Sequence, residues 1–210
     1  LTATHVIFAR RIFLATLYLA LAGLIYFNSL SNGFVFDDRH YISQNYLIKA
    51  LDGQALWELF SSFYVWDYIP VTLFSLSVDY WAYGLNPTGY HFSNTLFHFI
   101  NSILVYQLVL RITQSGQRAF WASLIFLVHP LQVESVAWIS ERKNLLSFLF
   151  FALSFLSYLR GRSRVLSVLL FLLACLAKIS VVVLPLLLVL HDISFTNKNI
   201  KNIFMEKIPY

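Results

Sequence analysis

Charged residues are scarce in this chain, and cysteine is almost absent. Only 12% of the 210 residues are Asp, Glu, Lys or Arg, whereas about a quarter is usual for a soluble domain. The single cysteine, Cys175, lies in an apolar run, which excludes a disulfide framework and a cysteine-ligated metal site. We find no internal repeat and no low-complexity tract. These absences exclude a disulfide-stapled secreted domain and a repeat array.

Apolar and aromatic side chains are abundant instead. Hydrophobic residues make up 59% of the chain, with 20 Phe, 12 Tyr and 5 Trp, which is the composition of a membrane protein. The net charge is +5, but the basic residues form no stripe with interleaved aromatic residues, so we expect no nucleic-acid partner. We therefore expect the protein to lie in a lipid bilayer.

The apolar runs predict an all-α fold, a polytopic bundle of about six transmembrane helices. Crossing the hydrocarbon takes about 20 apolar residues. The first run continues past an Ala-Leu-Ala cleavage-like site, so we interpret it as a span rather than a cleaved signal peptide. The last run is either one long span or two short helices that meet at Lys178. The five runs are residues 12–26, 90–110, 119–128, 145–159 and 165–190.

The basic residues predict the orientation of the bundle, because cytoplasmic loops are enriched in Lys and Arg. With both chain ends inside, ten of the 15 basic residues are cytoplasmic, against two of the ten acidic residues. Two ends on one side require an even number of spans, which favours a helix break at Lys178. The cytoplasmic basic residues are Arg10, Arg11, Arg111, Arg118, Arg160, Arg162, Arg164, Lys198, Lys201 and Lys207.

The opposite, outer face then carries two polar segments, residues 31–89 and 129–144. In the first, apolar residues recur at helical spacing after Asp52, a plausible helix cap. We interpret this stretch as a helix lying in the membrane interface. Its apolar positions are Leu56, Leu59, Phe60 and Phe63.

A polar stripe marks the helix predicted over residues 90–110. Its four members fall within an arc of about 80° at 100° per residue, and such a stripe faces a bundle interior or a wet cavity rather than lipid. Interhelical hydrogen bonding accounts for the two deeper residues, whereas the two outer residues lie where a site can form. In order from the outer end they are His91, Asn94, His98 and Asn101.

Three cations on the outer face indicate an anion site. An ammonium inside an apolar run is costly unless the helix ends nearby or an anion binds it, which leaves both readings open for Lys178. Arg142 and Lys143 stand in a short loop with Trp138, and a guanidinium fork suits a phosphate. The alternative for this loop, which also holds Glu134 and Glu141, is a solvated segment with ordinary charges.

Asp37 and Asp38 follow the first span directly. Either they form a polar turn at a helix exit, or they complete a site with the outer cations. That site would take a lipid-linked phosphate donor, whose tail lies in the bilayer, and a carboxylate would act as general base. Asp37 comes straight after an apolar triplet, so we expect it to be the more desolvated and the base. Asp38 would orient the acceptor or hold a divalent metal, which the sequence does not require.

Several motifs in this order resemble one known family. The chain resembles, over residues 33–192, the N-terminal membrane part of the tetratricopeptide-repeat-containing transmembrane O-mannosyltransferases and their bacterial relatives. These belong to the GT-C glycosyltransferase superfamily. The motifs are "FVFDDRHYI", "YIPVTLFSLSVDYWAYGLNPTGYHFSNTLFHFINSILVY", "HPLQVESVAWISERKNLLSFLFF" and "LLACLAKISVVVLPLLLVL".

The resemblance implies inverting transfer of a mannose-like hexose from a polyprenyl or dolichyl phosphate to a protein or glycan acceptor, on the non-cytoplasmic face. It implies a multi-pass protein of the bacterial inner membrane, or of the endoplasmic reticulum in a eukaryote. Relatives continue beyond this region, so residues 1–210 are expected to be an N-terminal fragment of a longer protein. A transporter, or a non-catalytic anchor for repeats, is the alternative.

Family motifs map onto individual residues of this chain. The acidic motif matches Asp37 and Asp38, one of them the general base, and the basic residue that contacts the donor phosphate matches Lys178. Two positions depart from the pattern: Ile69 stands where an arginine is frequent, and Asn144 where aspartate is common. The second-loop motif matches His129, Pro130, Glu134 and Glu141 through Lys143.

Overall fold

The computed structural model describes residues 3–50, 52–65, 67–161, 163–196 and 199–210. Across these residues the all-α prediction is confirmed, because they contain helices and no strand. The single β-type pairing among them is an isolated bridge between Tyr64 and Asp67. Two members of the cytoplasmic charge count, Arg162 and Lys198, lie outside the described residues.

Eleven α-helices follow one another in this described part of the chain. Tight 3₁₀ turns cover Phe27–Ser31, Ile139–Glu141 and Ile179–Val183, and Arg39–Ser43 forms a π turn. The helices are α1 (Ala3–Tyr26), α2 (Leu47–Ala50), α3 (Gly53–Ser61), α4 (Pro70–Tyr83), α5 (Pro87–Thr113), α6 (Gly116–Val128), α7 (Gln132–Ala137), α8 (Arg142–Leu159), α9 (Arg164–Ala177), α10 (Leu184–Phe195) and α11 (Ile200–Lys207).

Two helical segments are long and apolar enough to cross a membrane. They are Ile12–Ser31, with 20 residues, and Pro87–Thr113, with 27. Only 22% and 28% of their apolar windows are buried, so most of those side chains point outward, as in helices that face lipid. Arg164–Ala177 and Ile179–Phe195 are apolar but shorter. The described residues therefore support two membrane spans, and the total of about six stays a prediction.

The run over residues 165–190 divides into two helices. α9 ends at Ala177, Lys178 has an extended backbone, and a 3₁₀ turn leads into α10 with Pro185 in its first turn. The hydroxyl of Thr72 donates to the carbonyl of Ala177 at 3.0 Å, which satisfies one carbonyl at the end of α9. The predicted break at Lys178 is confirmed.

A helix, α3, is present where the interfacial helix is predicted, and its position in the membrane interface stays a prediction. Asp52 caps it, since its carboxylate accepts the Ala55 N–H at 2.7 Å. Leu59 packs into the protein, whereas Trp57 and Phe60 are 73% and 44% exposed. Phe63, predicted to continue the apolar face, lies beyond the end of the helix. One side of α3 therefore joins the core, and exposed aromatic side chains remain on the other side.

The outer segment over residues 31–89 contains a further helix, α4, that the sequence analysis does not predict. Pro70 stands in its first turn, where a ring-fixed φ is favourable, and Gly84 ends it with φ +59°. Ser, Thr and Asp interrupt its apolar residues, so no apolar run marks it. α4 packs against α2, α5 and α9, and it buries Asp79. The sequence therefore predicts only one of the helices in this segment.

α5 is the central helix of the bundle and packs against α1, α6 and α8. α8 and α9 form a hairpin, in which the Ser154 hydroxyl donates to the carbonyl of Ser167 at 2.7 Å. The start of α5, the start of α8 and the end of α9 consequently meet α4 at one end of the molecule. The candidate site lies at that end.

Candidate active site

The polar stripe on α5 lies inside the bundle. The ring of His98 meets the carbonyl of Leu127 at 3.0 Å, and Asn101 donates to the carbonyl of Leu145 at 2.9 Å. Interhelical hydrogen bonding by these two residues is confirmed. Each member of the stripe is at most 1% exposed: His91, Asn94, His98 and Asn101.

Asn94 joins α5 to the second outer segment. Its amide group donates to the carbonyls of Val136, Trp138 and Ile139 at 3.3 to 3.4 Å. Its own side-chain carbonyl accepts from Nε of Arg142 at 2.7 Å. These partners lie at the end of α7, in the turn after it and at the start of α8, so Asn94 fixes this part of the chain against α5.

The guanidinium of Arg142 is bound to protein groups inside the bundle. Its guanidinium forms an ion pair with Asp79, with 2.5 Å between Nη2 and Oδ2, and its side chain has no exposed surface. It also donates to the carbonyls of Tyr90 and Ser75 at 3.1 and 3.3 Å. A buried charge needs such complete partnering. Arg142 therefore holds α4, α5 and α8 together, and its predicted contact with a donor phosphate stays a prediction.

Asp38 ties the two outer segments to each other. It is fully buried, and its Oδ1 accepts the Ser140 N–H at 2.8 Å as well as the Ser140 hydroxyl. Its Oδ2 accepts the Val35 N–H at 3.0 Å. The expectation that Asp37 is the more desolvated carboxylate is wrong, because Asp37 is exposed. The reason is that the chain turns between the two residues, which the apolar triplet before them does not reveal.

The residue before the pair has an unusual backbone. Phe36 has φ +45°, a left-handed conformation that costs a residue with a Cβ about 1–2 kcal/mol. Its side chain is 79% exposed, and its ring lies 5.5 Å from that of Trp138. This strained residue directs Asp37 outward and Asp38 inward.

A cluster of charged and amide side chains forms part of the candidate site. We call it the lysine cluster, and it comprises Asp67, Glu141, Lys143, Asn144 and Lys178. Nζ of Lys178 donates to Oδ1 of Asn144 at 2.5 Å, and Asn144 donates to Glu141 at 2.6 Å. Nζ of Lys143 lies 3.2 Å from Glu141 and 3.4 Å from Asp67. The first loop, the second loop and the α9 break therefore meet here.

Tyr41 connects the lysine cluster to the turn that contains Asp37 and Asp38. Its hydroxyl donates to Asp67 at 2.9 Å. Burial raises the pKa of Tyr41, the bond to Asp67 raises it further, and the charges of Asp37 and Glu141 add to this. Burial lowers the pKa of Lys143, but Glu141 and Asp67 outweigh it and the net pKa is raised. Tyr41 and Lys143 therefore both keep their protons at neutral pH.

Lys178 is the more accessible of the two cations. Its side chain is 31% exposed, against 13% for Lys143. An ammonium has three donors, and Asn144 takes one. Glu141 lies 3.7 Å away, beyond hydrogen-bonding distance. Lys178 can therefore donate to an incoming anion without leaving its place.

The other predicted residues lie apart from these contacts. His129 and Glu134 are exposed, and Nδ1 of His129 accepts the Leu131 N–H at 3.2 Å. His91 is buried. Their roles stay predictions. Sequence reasoning missed Asp79, Asp67, Tyr41 and Ser140, because each acts through a partner distant in the chain.

A divalent metal at Asp38 does not fit the residues present. Both carboxylate oxygens of Asp38 already accept hydrogen bonds. Within the described ranges, no three His, Cys, Asp or Glu side chains group together in a way that would hold an ion. No step of the chemistry below runs through a metal.

Several known proteins are similar in sequence to this chain. Mouse protein O-mannosyl-transferase TMTC3 is 32% identical over 155 residues, which cover 70% of this chain. Tmtc1 of Drosophila melanogaster is 31% identical over 188 residues and 83% of the chain, and mouse TMTC4 is 34% identical over 172 residues and 70%. This chain is similar to the protein O-mannosyl-transferases. The resemblance predicted from the motifs is confirmed.

This chain matches only a small part of each of these O-mannosyl-transferases. The matched region spans only 17% to 23% of the length of these relatives. No family model matches the chain, and no solved structure matches it.

Proposed function

We propose that this chain is the N-terminal part of a membrane glycosyltransferase. It moves a mannose-like hexose from a polyprenyl or dolichyl phosphate to a protein hydroxyl, or to a glycan, on the non-cytoplasmic face. One observation carries the proposal: an exposed carboxylate, Asp37, and an accessible ammonium, Lys178, border the same network of side chains. The similarity to curated O-mannosyl-transferases supports the class of reaction.

Asp37 is the general base in this proposal. A serine or threonine hydroxyl is a weak nucleophile at neutral pH, so a carboxylate that accepts its proton accelerates attack. The acceptor oxygen forms a bond to the anomeric carbon while the bond from that carbon to the phosphate oxygen breaks. Direct displacement of this kind inverts the anomeric centre. Asp37 suits this role because it is exposed, whereas Asp38 holds Ser140.

Lys178 binds the donor phosphate, and Lys143 supports it. The phosphate leaves with negative charge, which a nearby cation stabilises most when that charge develops. Asn144 and Glu141 hold the two ammonium groups in place through the contacts given above. The break between α9 and α10 supports this role, since it brings Lys178 out of an apolar helix to a surface that a lipid-linked phosphate can reach.

The similarity to curated O-mannosyl-transferases favours a transferase over a transporter. The location of the protein in a bacterial inner membrane or the endoplasmic reticulum is part of the proposal.

The test is a transfer assay with the full-length protein in detergent. A radiolabelled polyprenyl-phosphate mannose is the donor and a serine- and threonine-containing peptide is the acceptor. We expect Asp37→Asn to lower transfer by about 10²- to 10⁴-fold while donor binding persists. The matched control is Glu58→Gln, a carboxylate on α3 outside the lysine cluster, which should transfer at the wild-type rate.

A second arm addresses the phosphate. Loss of one charged hydrogen bond weakens binding by about ten- to a hundredfold, so Lys178→Ala should raise the donor dissociation constant by that factor. Lys49→Ala, an exposed lysine of the same outer segment, is the control. Wild-type transfer by Asp37→Asn would refute the base, and unchanged donor affinity in Lys178→Ala would refute the phosphate site.

A further inference from the structure

A cavity lies at the other end of α5 from the candidate active site. Its volume is about 520 Å³. The part of α5 that lines it is centred roughly 13 residues beyond Asn94, about 20 Å along the helix. The cavity is lined by Leu14, Ala15, Tyr18, Ile103, Tyr106, Gln107, Leu110, Arg111, Gln114 and Arg160.

The floor of this cavity is apolar. Leu14 and Ala15 of α1 face Ile103 and Leu110 of α5 across it. Tyr18 adds its ring, because its hydroxyl is already bonded to Ser123 at 2.6 Å. A ligand that fills the floor therefore needs a hydrocarbon portion.

The rim is cationic, and its charge is not neutralised. Arg111 donates to the carbonyl of Leu159 at 3.1 and 3.3 Å, and Arg160 donates to Gln107 at 2.6 Å. Both acceptors are neutral, and neither arginine forms an ion pair with another described residue. A guanidinium has five N–H donors, so three remain on Arg111 and four on Arg160.

The contact to Leu159 has an ordinary structural role, because a basic side chain stabilises the last carbonyls of a helix. This contact and the bond from Arg160 to Gln107 use only part of each guanidinium fork. The remaining donors of two exposed guanidiniums border one apolar cavity. Paired arginines bind a phosphate through several parallel N–H bonds.

We infer that this cavity binds one anionic phospholipid, with its phosphate between Arg111 and Arg160 and part of an acyl chain over Leu14 and Ala15. The charge of the rim selects an anionic headgroup, and the floor selects a lipid over free phosphate. The count of basic residues predicts that this end of α5 is cytoplasmic, the depth at which inner-leaflet headgroups lie.

The test is native mass spectrometry of the full-length protein in detergent with added phosphatidylglycerol. Phosphatidylcholine is the neutral comparison. We expect preferential retention of phosphatidylglycerol, and a loss of about ten- to a hundredfold in affinity for Arg111→Gln/Arg160→Gln. The control is Arg39→Gln/Lys49→Gln, which removes two basic residues from the first outer segment and should bind as the wild type does.

Two further arms separate the sources of binding. Ala15→Trp fills the floor and keeps both arginines, so it should also lose the lipid, and its unfolding temperature shows whether it folds. Inorganic phosphate at millimolar concentration should not displace the lipid. Equal retention of both lipids, wild-type binding by the double arginine variant, or displacement by phosphate would each overturn the inference. None of these outcomes depends on sugar transfer.

Discussion

Replacing Asp38 by asparagine tests whether Asp38 has a structural role, in contrast to the reactive role proposed for Asp37. Asp38 is buried and accepts three bonds, two from Ser140 and one from the Val35 N–H. Asparagine keeps the shape of the side chain but exchanges one oxygen for a donor. In either orientation, an NH₂ group then faces an N–H or O–H donor, and that bond is lost.

The size of the effect follows from those bonds. A hydrogen bond to a charged group contributes about 1.5–3 kcal/mol. We therefore expect Asp38→Asn to lower the free energy of unfolding by about 2–3 kcal/mol. For a chain of this size, this is a fall in unfolding temperature of about 5–10 °C.

The assay is thermal unfolding in detergent, followed by near-ultraviolet circular dichroism. Asp37→Asn is the matched control, because Asp37 is exposed and its variant should unfold within about 1–2 °C of the wild type. Ser140→Ala removes the hydroxyl but keeps the N–H, so it should cost about 1 kcal/mol. The double variant Asp38→Asn/Ser140→Ala should be less destabilised than the sum, since the two residues share a bond.

One result would refute the reasoning. If Asp38→Asn unfolds at the wild-type temperature and Asp37→Asn does not, the structural and reactive roles are exchanged. The transfer assay would then have to show Asp38 as the base.

Three other predictions follow from the same contacts. Phe36→Gly relieves the left-handed backbone and should raise the unfolding temperature relative to Phe36→Ala, by about 2–4 °C for about 1 kcal/mol. Arg142→Met leaves Asp79 buried without its partner and should cost about 3–5 kcal/mol, and Arg142→Met/Asp79→Leu should recover much of this in the same unfolding experiment. Because the pKa of Tyr41 is raised in the folded protein, the tyrosine of the unfolded chain loses its proton first, near pH 10. The free energy of unfolding therefore falls as pH rises above that value. Tyr41→Phe should lessen the fall in unfolding temperature between pH 8 and pH 11.

Local patterns predicted the features that depend on neighbouring residues. The break at Lys178, the cap of α3 by Asp52 and the burial of the α5 stripe each follow from spacing within one helix or from one residue type in an apolar run. The resemblance to a family rests on motifs of the same short range.

The features that escaped prediction join distant positions. Arg142 finds Asp79 across 63 residues, and Asp38 finds Ser140 across 102. Periodicity carries no information about which helix lies opposite, so the sequence does not predict that Asp79 is the partner of Arg142. α4 escaped because the polar residues that interrupt it, Asp79 among them, are satisfied by partners that the sequence does not show.

The bond between Asp38 and Ser140 also has a consequence in time. Ribosomes add about 5–20 residues per second, so the 102 residues that separate the partners take about 5–20 s to synthesise. Throughout that interval the carboxylate of Asp38 must remain in water or find a temporary donor. The candidate site is therefore completed only after α5 and α6 have been made, and a nascent chain released before residue 140 would leave Asp38 without the donor that buries it.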